Sequence, residues 1–256
     1  MHATPQRRLR ELGDLSGRRA LVAGGAGRLG RACVDALTEL GAVVAVVDVA
    51  AEADGVRADI ADEHQARAAV RETAERLGGL DVLVHCAALV GQDELPGWNV
   101  PFAEQTVEAW GAALRVNLTS AFVLVHEARD GLAASGHGSV VLFGSIYGLV
   151  GPDTSLYAGT EMANPMAYGA SKGGLLQLVR YLATTLAPRV RVNAISPGGV
   201  ERGQPAAFVE RYSARTPLGR MATEEDVKGA VAFLASDLSA YVTGHNLVVD
   251  GGWTTW

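Results

Sequence analysis

From Arg19 the chain runs through a short apolar segment, Arg19-Ala20-Leu21-Val22-Ala23, straight into Gly24-Gly25-Ala26-Gly27-Arg28-Leu29-Gly30, after which Ala32, Leu37 and Leu40 fall at helical spacing. This order is strand, glycine-rich turn, helix. Gly41 closes the helix, and Ala42 to Val47 is an almost wholly apolar run ending in Asp48, as expected of a parallel strand buried on both faces. A third short strand is expected to end near Ala58-Asp59, a charged amphipathic helix to run from about Asp62 to Leu77, and Leu80 to Val84 to supply a fourth strand. Strands alternating with helices in this way predict an α/β fold with a parallel sheet and helices on both sides.

The same alternation continues downstream. Thr106 can cap a long helix through Asn117 and Phe122 toward Ala134, and Ser139 to Phe143 reads as a buried strand. A second long helix should begin near Asn164-Pro165, with proline at its first position, and run through Tyr168, Lys172 and Leu176 to Leu186, where Pro188 stops it. Val190 to Ile195 is another strand, Thr223-Glu224-Glu225-Asp226 has the form of a capping box for a helix to about Ala235, and Asn246 to Val249 ends the sheet. With 256 residues and 48% apolar content the chain can bury one large core. The expected division is a flexible tail over residues 1–14 and one doubly wound domain over 15–256.

Composition narrows the partners. The net charge of −6 is modest and the basic residues are scattered, which leaves no electrostatic footprint for nucleic acid or an anionic membrane. Neither is expected as a partner. Two cysteines, Cys33 and Cys86, form no disulfide framework, and neither they nor the histidines show metal-ligand spacing, so no metal is expected. The first dozen residues lack the apolar run of a secretory signal, and no later segment approaches the ~18 uninterrupted apolar residues of a membrane span. A reducing cytoplasm is the expected compartment.

The glycine turn would set backbone N–H groups and a helix N-terminus against a pyrophosphate, since unpaired amides and the helix dipole both attract anions. Gly24, Gly25, Gly27, Arg28, Leu29 and Gly30 are therefore candidate cofactor contacts. Asp48, 18 residues beyond Gly30, can accept hydrogen bonds from adenosine ribose hydroxyls and would repel a 2′-phosphate. NAD is favoured over NADP on that ground, although Arg28 keeps NADP open because it can reach a phosphate from the turn.

Tyr168 and Lys172, at i and i+4, share a helix face, so an ammonium can lie beside a phenol and lower the cost of a phenolate, whose ordinary pKa is ~10. Ser145 at a strand end can hold a carbonyl or hydroxyl oxygen. Asn117 can bind a water that relays protons to Lys172. Tyr147 and Tyr157 have no lysine four residues on and are assigned to packing or substrate contact.

With these residues in place the chain resembles a short-chain dehydrogenase/reductase of the single-domain type, from about Leu15 to the C-terminus. The matches are Arg115-Val116-Asn117-Leu118-Thr119, Gly144-Ser145, Tyr168 to Lys172, Asn193-Ala194-Ile195-Ser196-Pro197-Gly198, Val242-Thr243-Gly244 and Val249-Asp250-Gly251-Gly252. The resemblance implies a mostly parallel Rossmann sheet of about seven strands. It further implies that Tyr168 is the acid/base, Lys172 lowers its pKa and binds the nicotinamide ribose, Ser145 orients substrate and Asn117 supports the relay. Asp59 and Ile60 would flank adenine, Cys86, Ala87 and Ala88 would edge the cofactor, Pro197, Gly198 and Val200 would hold the nicotinamide, and the assembly would be a homotetramer.

Several positions depart from the family pattern. Ala23 and Arg28 replace a Thr and a Gly of the first turn, His85-Cys86-Ala87-Ala88 stands for Asn-Asn-Ala-Gly, and Arg202 stands where a Thr often bonds the carboxamide. The stretch from Ser145 to Tyr168 is longer than usual and carries a polar insertion, Gly151 to Asn164, where substrate would enter. The expected function is interconversion of a secondary alcohol and a ketone on a polar, sugar-like substrate, with some similarity to a subgroup of bacterial surface-sugar biosynthesis. Two alternatives stand beside it: reduction of a 3-oxoacyl thioester, and a cofactor-binding protein without turnover.

Overall fold

The computed structural model describes residues 7–90 and 95–256. Its seven strands are β1 (Arg19–Ala23), β2 (Val43–Asp48), β3 (Val56–Arg57), β4 (Val82–His85), β5 (Gly138–Phe143), β6 (Val190–Pro197) and β7 (Asn246–Val249). They form one sheet in the order β3-β2-β1-β4-β5-β6-β7, with every neighbouring pair parallel. Strand order therefore reverses between β1 and β4, and the crevice at their carboxyl ends is where an open α/β sheet of this kind takes its ligand.

Side chains alternate across the sheet and found a core on each face. Leu21, Leu83, Val140, Leu142 and Val192 point toward the side covered by α3 (Glu63–Leu77), α5 (Ser120–Ala134) and α6 (Met166–Leu186). Ala20, Val22, Val84, Val141 and Phe143 point to the other, covered by α2 (Arg28–Glu39) and α8 (Lys228–Ala235). Leu175 on α6 is fully buried in the first core, whereas Phe122 on α5 is exposed.

The structure departs from the sequence expectations in five places. Residues 1–6 of the expected tail lie outside the described residues, but Leu9–Gly13 forms a short helix, α1, at whose start the Arg8 N–H donates to Glu11 Oε2 at 2.8 Å, and an Arg7–Asp237 ion pair ties it to the body. Because α1 buries none of its own side chains, it had no apolar periodicity to betray it. Second, β2 is not buried on both faces: β3 pairs only with Val47 and Asp48, so the strand's first half is an edge and Val43 is 55% exposed.

Third, the helix capped by Thr106, which accepts from the Ala109 N–H, is interrupted: α4 (Val107–Leu114) passes through one wide π turn, Arg115–Thr119, before α5. Such turns are rare inside helices and recur at functional sites. Fourth, the Thr223 capping box starts a tight turn, Glu224–Val227, that only then opens into α8. Fifth, Pro165 sits at the cap of α6 and not within its first turn.

Candidate active site

The first turn shows why two of its glycines are required. Gly24 has φ +82°, and a Cβ there would lie 2.4 Å from the Ala87 nitrogen; one on Gly30 would lie 2.0 Å from the Gly24 carbonyl oxygen. Backbone thus packs directly on backbone, and Gly27 caps α2 with no side chain over the helix amides. The Asp48 carboxylate accepts from the Ala26 N–H at 3.1 Å and the Ala50 N–H at 3.0 Å, pinning the turn to the end of β2. Open helix amides with a strand-end carboxylate fit the pyrophosphate and ribose of a dinucleotide.

From this turn an open cleft of about 1570 Å³ runs across the carboxyl edge of the sheet. A single drug-sized ligand fills roughly 300–1,000 Å³, so there is room for a dinucleotide and a second molecule. Of the residues singled out from sequence, Gly24, Gly27, Arg28, Leu29, Gly30, Asp48, Asp59, Ile60, Cys86, Ala87, Ala88, Ser145, Tyr168, Lys172, Pro197, Gly198 and Val200 all line it. Gly25 and Asn117 do not. Gly25 instead packs on β2, where a Cβ would meet the Val46 side chain at 2.9 Å.

Tyr168 and Lys172 lie on the first turns of α6, and Ser145 follows β5. The Lys172 Nζ is 5.7 Å from the Tyr168 ring centroid and donates to the Phe143 carbonyl at 2.7 Å. Burial draws the Lys172 pKa down to about 8. Burial also raises that of Tyr168, and the opposing pulls come from the Ser145 hydroxyl and from Arg202.

Asn117, expected to support a proton relay, is fully buried between the loop after β4 and α6. From the π turn its Oδ1 accepts from the Leu89 N–H at 2.7 Å, while Nδ2 donates to the Leu89 carbonyl at 3.3 Å and the Ser171 hydroxyl at 3.1 Å. The amide is thus engaged in clamping the loop after β4 to α6. Beneath it, the Ser120 hydroxyl donates to the Val116 carbonyl at 2.6 Å, so the His85 Nε2, 2.7 Å away, is the donor to Ser120 in this network. His85 is fully buried, and desolvation with the nearby Lys172 charge holds its pKa down to about 3. The ring is neutral, leaving Lys172 the one charged group of the pair.

The insertion from Gly151 to Asn164 is polar in sequence yet builds an aromatic wall. Asp153 caps the turn Thr154–Tyr157 and pairs with Arg215, which drives Leu156 into a small core with Phe208, Tyr212, Met221 and Trp253. Tyr157 packs 5.3 Å from Phe208, its hydroxyl lies 2.9 Å from that of Tyr147, and the Asn164 amide donates to it at 3.2 Å. Phe208, Tyr212 and Met221 line the cleft and were not singled out from sequence. The apolar i, i+4 pair Phe208 and Tyr212 on α7 (Ala206–Arg215) was the available signal.

A protein-family model described as enoyl-(acyl carrier protein) reductase matches residues 24–254. The cis-4-hydroxycyclohexanecarboxylate dehydrogenase of Sinomonas cyclohexanicum is 36% identical, covering 92% of this chain and 96% of its own. A protein of Rhizobium meliloti (strain 1021) named as a probable galactose dehydrogenase is 34% identical, covering 93% and 96%. Among solved structures, a short chain dehydrogenase from Leptospira borgpetersenii with bound NAD+ superposes with a TM-score of 0.85 at 30% identity, over 99% of this chain and 98% of that one. The chain belongs to the short-chain dehydrogenase/reductase family and is an oxidoreductase that uses a nicotinamide cofactor.

Proposed function

We propose that the protein interconverts a secondary alcohol and a ketone on a ring-shaped polar substrate, with NAD preferred over NADP. The observation that carries this reading is the convergence of Tyr168 and Ser145 on the cleft between the glycine turn and the aromatic wall. The bound nicotinamide supplies the hydride acceptor or donor. Tyr168 moves the proton at the substrate oxygen, and Ser145 holds that oxygen in line. Lys172, fixed on the Phe143 carbonyl, keeps a positive charge beneath the phenol and in reach of a nicotinamide ribose.

A ring is favoured because three aromatic side chains, Tyr147, Tyr157 and Phe208, line the same cleft as the reacting groups. The Sinomonas and Rhizobium relatives are named for a carbocyclic alcohol and a sugar, which supports that shape. Asp48 at the end of β2 supports NAD. The two free cysteines support a cytoplasmic setting, and the exposed Phe122 on α5 supports a homotetramer with helix-lined faces. Among the described residues no helix is long and apolar enough to cross a membrane.

The test is to follow nicotinamide absorbance with NAD+ or NADP+ over a panel of aldoses and cyclohexanols, and with NADH or NADPH over 3-oxoacyl thioesters. Oxidation of a ring alcohol, faster with NAD+, is expected. Turnover of acyl thioesters alone, or tight NAD+ binding with no turnover of any member, would overturn the reading.

A further inference from the structure

Arg202 is a cation in the cleft without an internal partner. Its backbone is held firmly: the Arg202 N–H donates to Gln204 Oε1 at 2.6 Å, Gln204 Nε2 donates to the Val200 carbonyl at 2.9 Å, and the Glu201 N–H donates to the Ala222 carbonyl at 2.9 Å. Yet the buried Nε has no hydrogen-bond partner, and among the described residues no carboxylate comes within the 4.0 Å of an ion pair. Arg202 is half-buried, and a buried N–H left without an acceptor is costly because its desolvation is uncompensated. Such a group is better explained by a ligand than by the fold.

The neighbouring charges sharpen this. The cations lining the cleft among the described residues are Arg28, Lys172 and Arg202. Lys172 is engaged by Phe143, and Arg28 lies 3.8 Å from Glu224, whose field also reaches Arg202. The same lining carries the carboxylates of Asp48, Asp59 and Glu161, yet among the described residues Arg202 is the one of these three cations whose side chain has neither a hydrogen bond nor an ion pair. Two further arginines near the wall are already committed, Arg211 to the Leu156 carbonyl and Arg215 to Asp153 and the Trp253 ring face. Arg202 and Tyr168 line the same cleft, so one ligand in it can meet both the guanidinium and the phenol.

We infer that Arg202 anchors a carboxylate on the substrate, which narrows the ring alcohol proposed above to a ring hydroxy acid and rests on that reading for its chemistry. The planar fork of a guanidinium matches a carboxylate with two parallel hydrogen bonds, whereas Tyr147, Tyr157, Phe208 and Asn164 offer only neutral surface to the ring.

The probes are cyclohexanecarboxylate and its neutral carboxamide, titrated calorimetrically into the NADH-saturated protein, wild type and Arg202→Gln. The carboxylate should bind the wild type at least about tenfold more tightly than the carboxamide, the strength of a charge-assisted pair, and Arg202→Gln should erase the difference. Arg202→Lys should keep part of it, and NAD+ affinity, measured on every variant, should stay within a few-fold and certify folding. An unchanged carboxylate affinity in Arg202→Gln, failure of the wild type to bind the carboxylate, or an equal loss of NAD+ affinity, which would assign the guanidinium to the cofactor, overturns the inference.

Steady-state assays separate this inference from the functional reading. Oxidation of neutral ring alcohols in preference to hydroxy acids would sink the carboxylate anchor alone. Carboxylate binding that depends on Arg202, with no ring alcohol turned over, would sink the functional reading while the anchor stands.

Discussion

At the end of the cleft formed by β1, β2 and the Gly24–Gly30 turn, the surface is largely backbone: glycines pressed on carbonyls, helix amides left open, and Asp48 pinning the turn. At the other end, side chains from β5, the Gly151–Asn164 insertion, α6, the loop after β6 and α7 meet around Tyr168. The first region serves a ligand whose shape does not change, and it depends on conformations that only a few residue types allow. The second can change its ligand by changing side chains, without disturbing the sheet beneath.

If that division is real, substitutions at one end should leave the other's readout intact. The largest effect is expected for Tyr168→Phe, which removes the proton carrier but no phosphate contact: turnover should fall about 10³-fold with NAD+ affinity unchanged. Stopped-flow kinetics and fluorescence titration measure the two, and a parallel loss of both would break the division. In the wild type, the raised phenol pKa keeps Tyr168 protonated at neutral pH. Alcohol oxidation, which needs the phenolate, should accelerate as pH rises into the alkaline range, while ketone reduction should not.

The next effect sits at the seam. His85, at the end of β4, has a folded pKa of about 3 against 6.5 for the free side chain. Between those values the unfolded chain takes up a proton that the folded chain refuses, so this group's contribution is complete above pH 6.5 and is lost as pH falls. Relative to His85→Asn, the wild type should lose on the order of 3 kcal/mol of stability between pH 7 and pH 4. Urea unfolding of both proteins at the two pH values measures it; parallel pH dependences would mean that His85 is not held neutral by the fold. The smallest effect is expected for Asp48→Ala, which should reduce the NAD+ over NADP+ affinity ratio about tenfold and leave the alcohol profile untouched. A shifted alcohol preference would show that the two ends are coupled.

The backbone-built end was legible in the sequence for a physical reason. Gly30 is forced by Gly24 and Gly25 just before it in the chain, Gly24 has a positive φ of its own besides its contact with Ala87, and Asp48 follows at the end of the very next strand, so local spacing carries much of the information. Ser145, Tyr168 and Lys172 were legible through spacing on one strand end and one helix. The wall was not. Phe208 and Tyr212 meet Tyr157 and Trp253 only after the chain has folded, and a polar insertion hides Leu156 and Tyr157, which turn inward once Asp153 caps their turn. The side-chain contacts of Asn117 were not legible either, because nothing in the local sequence announces a π turn that delivers its amide to Leu89 and Ser171.

Transfer of label from the carbinol carbon tests the central claim most directly: that Tyr168 moves the proton while hydride passes straight between substrate and nicotinamide. With a ring alcohol deuterated at that carbon, mass spectrometry of the product should find the deuterium in NADH for the wild type, and in Tyr168→Phe at a rate reduced in step with turnover. Deuterium released to solvent, or undiminished transfer in Tyr168→Phe, would contradict the account.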